Sequence, residues 1–566
     1  MLYNWKNKDA EQKVKIIMGN QRRFETVRQY YNDLWSMITQ VFRPRRYSIL
    51  DNSSRRKGER YGANIFDQGP ANSLFKFVSG KLGYMVNRSV PWIQFISTDT
   101  KLMRMDHIKN YFDESKEQVL SAVNRSNLYS ALVPHSMDAD SIGTSVMIPI
   151  LDDVKDRVVF DVVHPGESYI GVDQFGDANI YHRCPLKLTR MTALEKFGKE
   201  KLPRDWFDTE TGELKDVLEE DDYIWACYPN DDRDNTSKLG IDKKYYTMCV
   251  LKSGSKKNES MLVYESGRDY FPRCYRSGRE SGAAYGTSIA SDCLTAALTG
   301  NKLAEKGVEA AHKSVDPAKM ASKSLKSSLR TAGGGRPGST VWVDDINREG
   351  VKLWQDRLNW PTTDAQIQRL DEMIQDRMFI RFFEMLSAGD LKARTAYEVS
   401  QMMAEKATLM SNIIDTLEQE ALEPNIAVFV HEETKANRMP DVPGELMESG
   451  GRIDIQYLGP LAQMQRSLLR SRGTIDALAI IEQMMGMSKE VGWVFDWRQM
   501  AEDVTIAQGL PQKLITSDDQ QDEMAAQDAK MQQIALQAKV METAGKAAPG
   551  LGKAPEEGSM LEGAAA

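Results

Sequence analysis

Cysteine is scarce, with five residues in a chain of 566. The number is odd, and too sparse for a chain of this length to be held by cross-links. A disulfide framework is excluded, and a reducing compartment fits. Long apolar runs are also missing. None approaches the ~18 residues that a membrane span needs; Ile426 to Val430 is typical of those present. The opening MLYNWKNKDAEQKVK lacks the apolar centre of a secretory signal. The expectation is a soluble protein with no membrane partner.

Reactive motifs are thin as well. The six histidines never pair at i, i+4, and no close Cys or His pair exists to fix a tetrahedral metal site. The expected roles are core cysteine and surface histidine, with no metal and no cofactor. No G-x-S-x-G elbow occurs. The nearest approach to a catalytic motif is GGGRPGST at 333–340. Its spacing imitates a phosphate loop, but Ser339 stands where the lysine belongs. A phosphate loop follows a strand and opens a helix. Here a basic, helix-like stretch precedes the glycines and strand-like Val341-Trp342-Val343 follows. The expectation is a non-catalytic protein. A nucleotide-dependent DNA-processing enzyme using 333–345 stands as the alternative.

What is present is a globular composition, 41% hydrophobic and 27% charged. The net charge of −8 is unevenly spread. Residues 1–60 carry 14 Lys/Arg against 6 Asp/Glu, a net of +8, so the remainder sums to −16. A second basic patch holds Lys313, Lys319, Lys323, Lys326, Arg330 and Arg336. A chain this acidic is not a whole-surface binder of nucleic acid, though local segments can touch phosphates or an acidic partner.

The patterning predicts an α+β fold. An amphipathic helix is expected over 20–40, with Phe24, Val27, Tyr31, Leu34 and Ile38 as its apolar stripe. Further helices are expected over 68–86 and 106–130. Short Val/Ile/Tyr-rich runs at 144–151, 157–163, 168–172 and 178–184 read as an antiparallel sheet, and more strand-like pieces follow near 222–228, 245–251 and 261–265. A small-residue helix over 286–312 and another over 364–386 bracket a basic, Gly-rich excursion. Thr363 and Gln366 form a capping box for the second, and Thr395 and Glu398 one for a long helix disturbed near Pro424. A strand is expected over 452–457, then helices at 461–485, 496–508 and 518–543. The terminal stretch after that is poor in apolar residues and is expected to be disordered.

Several short segments stand out in order along the chain: Arg22-Arg23-Phe24-Glu25 to Pro44-Arg45; Asp67 through Ser79-Gly80-Lys81-Leu82 to Pro91-Trp92-Ile93; Ser126-Asn127-Leu128-Tyr129; and Ile142-Gly143-Thr144. His164-Pro165-Gly166-Glu167, Tyr285-Gly286, Thr395-Ala396, Leu422-Glu423-Pro424 and Tyr457-Leu458-Gly459-Pro460 continue the series. Together they resemble the portal (head-to-tail connector) proteins of short-tailed, tailed bacteriophages; another virion structural protein (tail or scaffold) stands as a further alternative. Coverage runs from about residue 20 to 520. Segment 205–260 departs from the pattern, and Leu128 stands where the family has an aromatic.

The resemblance implies a portal fold with a mainly helical stem and crown, an α/β wing and a small α/β clip, assembled as a dodecameric ring at one capsid vertex of the virion after assembly in the host cytoplasm. Double-stranded DNA would pass through the ring. Its partners would be the terminase packaging motor, then the tail adaptor protein, together with the major capsid and scaffolding proteins. On this sequence the resemblance places an N-terminal wing at 1–285, a first stem helix at 286–312, the clip at 313–360 and a second stem helix at 361–386. A channel loop would follow at 387–394, wing elements at 395–458, crown helices at 459–543 and a disordered tail at 544–566. Lys392 and Arg394 would be the DNA contacts in the channel loop. Lys319, Lys323, Lys326 and Arg330 would dock partners at the clip. A mostly acidic channel wall would let DNA slide, because few cations are available to release its counterions.

Overall fold

The computed structural model describes residues 5–44, 65–99, 102–231, 243–252, 260–315, 360–387, 406–448, 453–463 and 529–538, single positions apart, and three short strands between 319 and 353. In chain order the elements begin with helices α1 (Ala10–Phe42) and α2 (Gly69–Met85), strand β1 (Ile93–Ser97), and helices α3 (Asp106–Arg125) and α4 (Leu128–Ile142). Strands β2 (Thr144–Asp152), β3 (Arg157–Val163), β4 (Ser168–Val172) and β5 (Ala178–Thr189) follow, then α5 (Arg190–Phe197). Next come β6 (Glu220–Pro229), β7 (Tyr245–Leu251), β8 (Met261–Arg268), β9 (Arg273–Arg276) and α6 (Ile289–Val315). Strands β10 (Lys319–Ser322), β11 (Thr340–Val343) and β12 (Val351–Leu353) precede α7 (Trp360–Arg377) and α8 (Ile380–Ser387). Helix α9 (Ser411–Thr416), a π-helical turn (Leu417–Leu422), α10 (Glu423–Lys435), α11 (Gly444–Glu448) and β13 (Ile453–Tyr457) complete the named set.

Contacts divide the chain into two units. The first comprises Met1–Ile93, Glu117–Met439 and Tyr457–Leu469. Its largest sheet is antiparallel, in the order β4-β5-β6-β7-β8. Period-two alternation gives this sheet two apolar faces. Ile224, Ala226 and Tyr228 of β6, with Tyr246, Met248 and Val250 of β7, pack with Trp5, Ile17 and Phe24 at the N-terminal end of the chain. Tyr223, Cys249 and Leu251 face the other way, onto Ala193, Leu202, Trp206 and Phe207. The expected single sheet is thus two, because β3, β2 and β9 form a separate antiparallel sheet.

Three expectations about helices need correction. The buried face of α1 runs through Ile17, Gln21, Arg28, Trp35, Ile38 and Phe42, while Val27 and Leu34 are exposed. The stripe was misplaced because two of its core positions are polar. Gln21 meets His182 at 3.0 Å, and Arg28 donates to the Gly166 carbonyl at 2.6 Å while lying 4.1 Å over the Tyr169 ring. The helix expected over 106–130 is two helices. Asn127 separates them, its amide both donating to and accepting from the Phe160 backbone at 2.9 and 2.7 Å. Helix α7 begins at Trp360, so Thr363 and Gln366 lie inside it and form no cap. It then breaks before α8 at Phe379, which has φ 55°.

The disturbance near Pro424 is real. Proline has no N–H to continue the ladder, and the turn before it widens to π geometry. The histidine expectation fails for two of the six: His135 and His182 are fully buried. All five cysteines are free and buried, as core residues.

The second unit comprises Gln94–Lys116, Pro440–Gln456 and Arg470–Ala566. It holds most of the β1–β13 pairing and the short helix α11, whose Glu445 lies 3.4 Å from His107.

Candidate functional site

Helices α6 and α7 pack as a pair, joined at one end by Asp292 of α6 and Arg377 of α7. Since Asp292 opens α6 and Arg377 closes α7, the two helices run antiparallel. The chain between them forms a three-stranded sheet in the order β11-β10-β12. Strands β10 and β11 are parallel and β10 and β12 antiparallel. Thr340 enters β11, so the glycine run leads into a strand and not into the helix that a phosphate loop requires.

Lys319 is the first residue of β10. Lys323, Lys326 and Arg330 lie outside the described residues, as do Lys392 and Arg394 of the expected channel loop. So do the Thr395/Glu398 capping box, the helices expected at 496–508 and most of that at 461–485, and the tail after 543. Within 518–543, residues 529–538 are helical.

Beside the entry to α6 lies a polar junction that motif reading did not single out. Lys81 of α2 and Asp140 of α4 form an ion pair of 2.5 Å with both side chains inaccessible to solvent. Lys81 also donates to the Tyr275 hydroxyl of β9 at 3.2 Å, and the Ser277 hydroxyl donates to the second Asp140 oxygen at 2.8 Å. Burial pulls the Lys81 pKa down, and Asp140 opposes that pull. His135, one turn before Ala139, bonds Ser145 at 2.9 Å. Burial, and then the Lys81 charge, hold its pKa down at about 3, so it is neutral.

The segment leading into α6 is sewn to the same place. The Gly286 N–H donates to Thr144 Oγ1 at 2.9 Å, Ser288 Oγ donates to the Ser141 carbonyl at 2.6 Å, and the Ser277 N–H donates to Gly143 O at 3.0 Å. Next to it, Arg276 of β9 grips Glu420 of the π turn, with its Nη2–Oε1 contact at 2.5 Å. Helix α8 docks on α2 where Gly80 leaves room: a Cβ there would stand 2.6 Å from the Phe383 ring.

A signal for Lys81 was present. Leu74, Phe77, Val78, Leu82 and Met85 form the buried face of α2, and helical spacing puts Lys81 on that face. A lysine there requires a buried counter-charge.

A second carboxylate site lies where α2 begins. Asp67 accepts the Gly69 N–H at 2.8 Å, and Asn301 of α6 accepts the Phe66 and Asp67 N–H groups. Asp371 of α7 reaches the same spot. Desolvation, and then the Asp67 charge, push its pKa up to about 6. An unfolded chain ionises Asp371 near the ordinary value of 3.8. The folded state therefore binds more protons between those values, and stability falls as pH rises from about 4 to about 6. Asp371→Asn is expected to raise the melting temperature at pH 7.5 and to leave it nearly unchanged at pH 4. Solvent screening limits the gain to about 1 kcal/mol. Thermal melts of both proteins at the two pH values measure this.

Among the described residues no three His, Cys, Asp or Glu side chains converge to hold a metal ion. None of their helices is long and apolar enough to cross a membrane. The junction's charges are spent on one another, so the arrangement suits holding elements in register rather than proton or group transfer.

Comparison with known proteins agrees with this mechanical character. A family model described as bacteriophage head to tail connecting protein matches residues 15–515. The chain is 25% identical over 555 residues to a probable portal protein of Bordetella phage BPP-1, covering 95% of each chain. It is 23% identical over 472 residues to the portal protein of Salmonella phage epsilon15, covering 81% of each.

Proposed function

The chain belongs to the bacteriophage head-to-tail connecting protein family, and from this premise we propose that it is a portal protein. Copies assemble into a dodecameric ring at one capsid vertex of the virion. Double-stranded DNA is packaged and later ejected through the opening. The ring docks the terminase packaging motor first and the tail adaptor afterwards, within a shell of major capsid and scaffolding proteins. The observation that carries this reading is end-to-end similarity to a chain named as a probable portal protein, over 95% of both lengths.

On this reading the described elements take the following parts. Helices α6 and α7 are the stem, and the β11-β10-β12 sheet with its basic link is the clip that meets the motor and the adaptor. The two larger sheets with α1 to α5 are the wing, and the chain beyond β13 is the crown. The role is structural, and ATP hydrolysis belongs to a separate motor. The Gly286 and Ser288 bonds, beside the buried Lys81–Asp140 junction, tie the entry of the stem to the wing, so load on the clip reaches the wing through bonded contacts.

Negative-stain microscopy of the purified chain tests the assembly. The expected image is a rotationally symmetric ring with a central hole; fibres or dispersed monomers would sink the reading. For the loop at 387–394, Lys392→Ala is expected to leave the ring intact and to change DNA filling or retention. Unchanged packaging yield and retention would remove Lys392 and Arg394 from the channel.

A further inference from the structure

The five-stranded sheet carries two complementary features at opposite ends. At one end is a cleft of about 390 Å³ lined by Lys244, Tyr245, Tyr270, Phe271, Arg273 and, from α10, Ala427 and its neighbours. Arg273 is the unusual member. Its Nε is enclosed and has no hydrogen-bond partner. Its guanidinium makes no ion pair among the described residues and has only the Tyr270 ring, 5.9 Å away. Burial, assisted by Arg268, pulls its pKa down to about 10. Lys244 beside it is exposed, with the Tyr245 ring at 5.6 Å. The nearby acids are already engaged: Asp269 bonds Lys243 at 2.8 Å and Glu432 accepts from Tyr270 at 2.7 Å. A largely buried cation without an anion is costly, and the aromatic walls around it offer apolar area as well.

At the other end, the turn before β6 reads Asp216-Val217-Leu218-Glu219-Glu220. Leu218 is 81% exposed, and Val217 is exposed too. Glu219 is tied to Arg190 at 2.6 Å. Glu220 is exposed and makes no side-chain ion pair among the described residues. The pairing of Pro229 with Tyr245 and of Tyr223 with Leu251 fixes the geometry. The cleft lies at the Pro229 end of β6 and the turn at the Glu220 end. Ten residues of strand separate them, about 30 Å at ~3.3 Å per residue. The two features of one chain therefore cannot meet each other.

We propose that copies of this chain associate head to tail through this sheet, the Leu218–Glu220 turn of one copy seating in the Tyr245/Tyr270/Arg273 cleft of the next. Leucine covers the aromatic wall, and the glutamate supplies an anion to Arg273 and Lys244, which have no ion pair among the described residues. Such a contact is heterologous, and repeated rotation closes it into a ring. The inference rests on the ring reading above and assigns it an interface. A DNA phosphate fits the cleft less well, because a duplex backbone brings no apolar group to the aromatic walls.

The test uses the full chain with Leu218→Cys and Ala427→Cys together and a short bismaleimide cross-linker. The native cysteines are buried, so they do not compete in the folded protein. The expected result is a ladder of covalent multiples on a denaturing gel, whereas each single variant gives nothing beyond a dimer. A charge pair supplies a second readout: Glu220→Lys or Lys244→Glu alone lowers ladder yield about fivefold, as the loss of ~1 kcal/mol would, and the two together restore it. Rings in negative stain without a ladder overturn this interface and leave the portal reading standing. A ladder that forms only with added duplex DNA also overturns it. Dispersed monomers overturn both.

Discussion

Lys81→Met, with Asp140 left in place, is expected to be the most damaging exchange in the junction. The pair is wholly buried, and removing one partner strands the other charge. Breaking a buried pair in this way costs roughly 3–5 kcal/mol, enough to remove a large part of the stability of an ordinary domain. Among the described residues, Asp140 would keep one donor, the Ser277 hydroxyl. A carboxylate with one neutral donor is poorly compensated, so it would take up a proton or draw in water. The second variant decides the cause. Lys81→Met with Asp140→Leu removes both charges and replaces them with apolar groups, and such replacements are often neutral. Urea unfolding of the three proteins should therefore show a large drop for the single variant and recovery of most of it in the double. Equal drops in both would mean that the ion pair is not what holds α2 to α4. The same variants bear on the proposed assembly: ring yield in negative stain should follow the urea midpoints.

Much of residues 1–285 was legible because its signals are local. Strands β2 to β8 all fall where Val/Ile/Tyr runs lie between turn residues. Alternation in β6 and β7 then sorts Tyr228 and Tyr246 to one face and Tyr223 and Cys249 to the other. Helix α2 matched because Pro70 sits in its first turn and its apolar spacing is regular. What failed was non-local. The face of α1 was misjudged because Arg28 and Gln21 are buried by partners more than a hundred residues away. The break at Asn127 was missed because its cause is the Phe160 backbone.

The junction was half legible. Ser79-Gly80-Lys81, Ile142-Gly143-Thr144 and Tyr285-Gly286 carried the family resemblance as separate fragments. No spacing rule says that they meet, yet Lys81, Gly143 and Gly286 stand in one cluster with Tyr275 and Ser277. The order of those fragments along the chain reflects the cluster they build. The basic residues at 319–330 point the opposite way: charge marked them early, and only Lys319 lies on a described strand.

Gly143→Ala is the second exchange expected to have a large effect, and two separable causes add. Gly143 closes α4 with φ 94°, ψ −21°, a left-handed conformation that costs a side-chain-bearing residue roughly 1–2 kcal/mol. A Cβ there would also stand 1.9 Å from the Gly286 carbonyl oxygen. That neighbour is backbone, so it cannot rotate away, and overpacking of this kind costs roughly 1–3 kcal/mol or more. Moving Gly286 disturbs its N–H bond to Thr144 and the Ser288 bond to Ser141, both part of the entry into α6. The expected result is a loss of about 3 kcal/mol and less ring in negative stain. Gly83→Ala is the control, because nothing lies within 4 Å of its Cβ position inside α2. It should gain up to ~1 kcal/mol from helix propensity. A Gly143→Ala protein as stable as the parent would show that α4, β2 and the start of α6 are not held at the close approach described, and α6 would then lack that anchor.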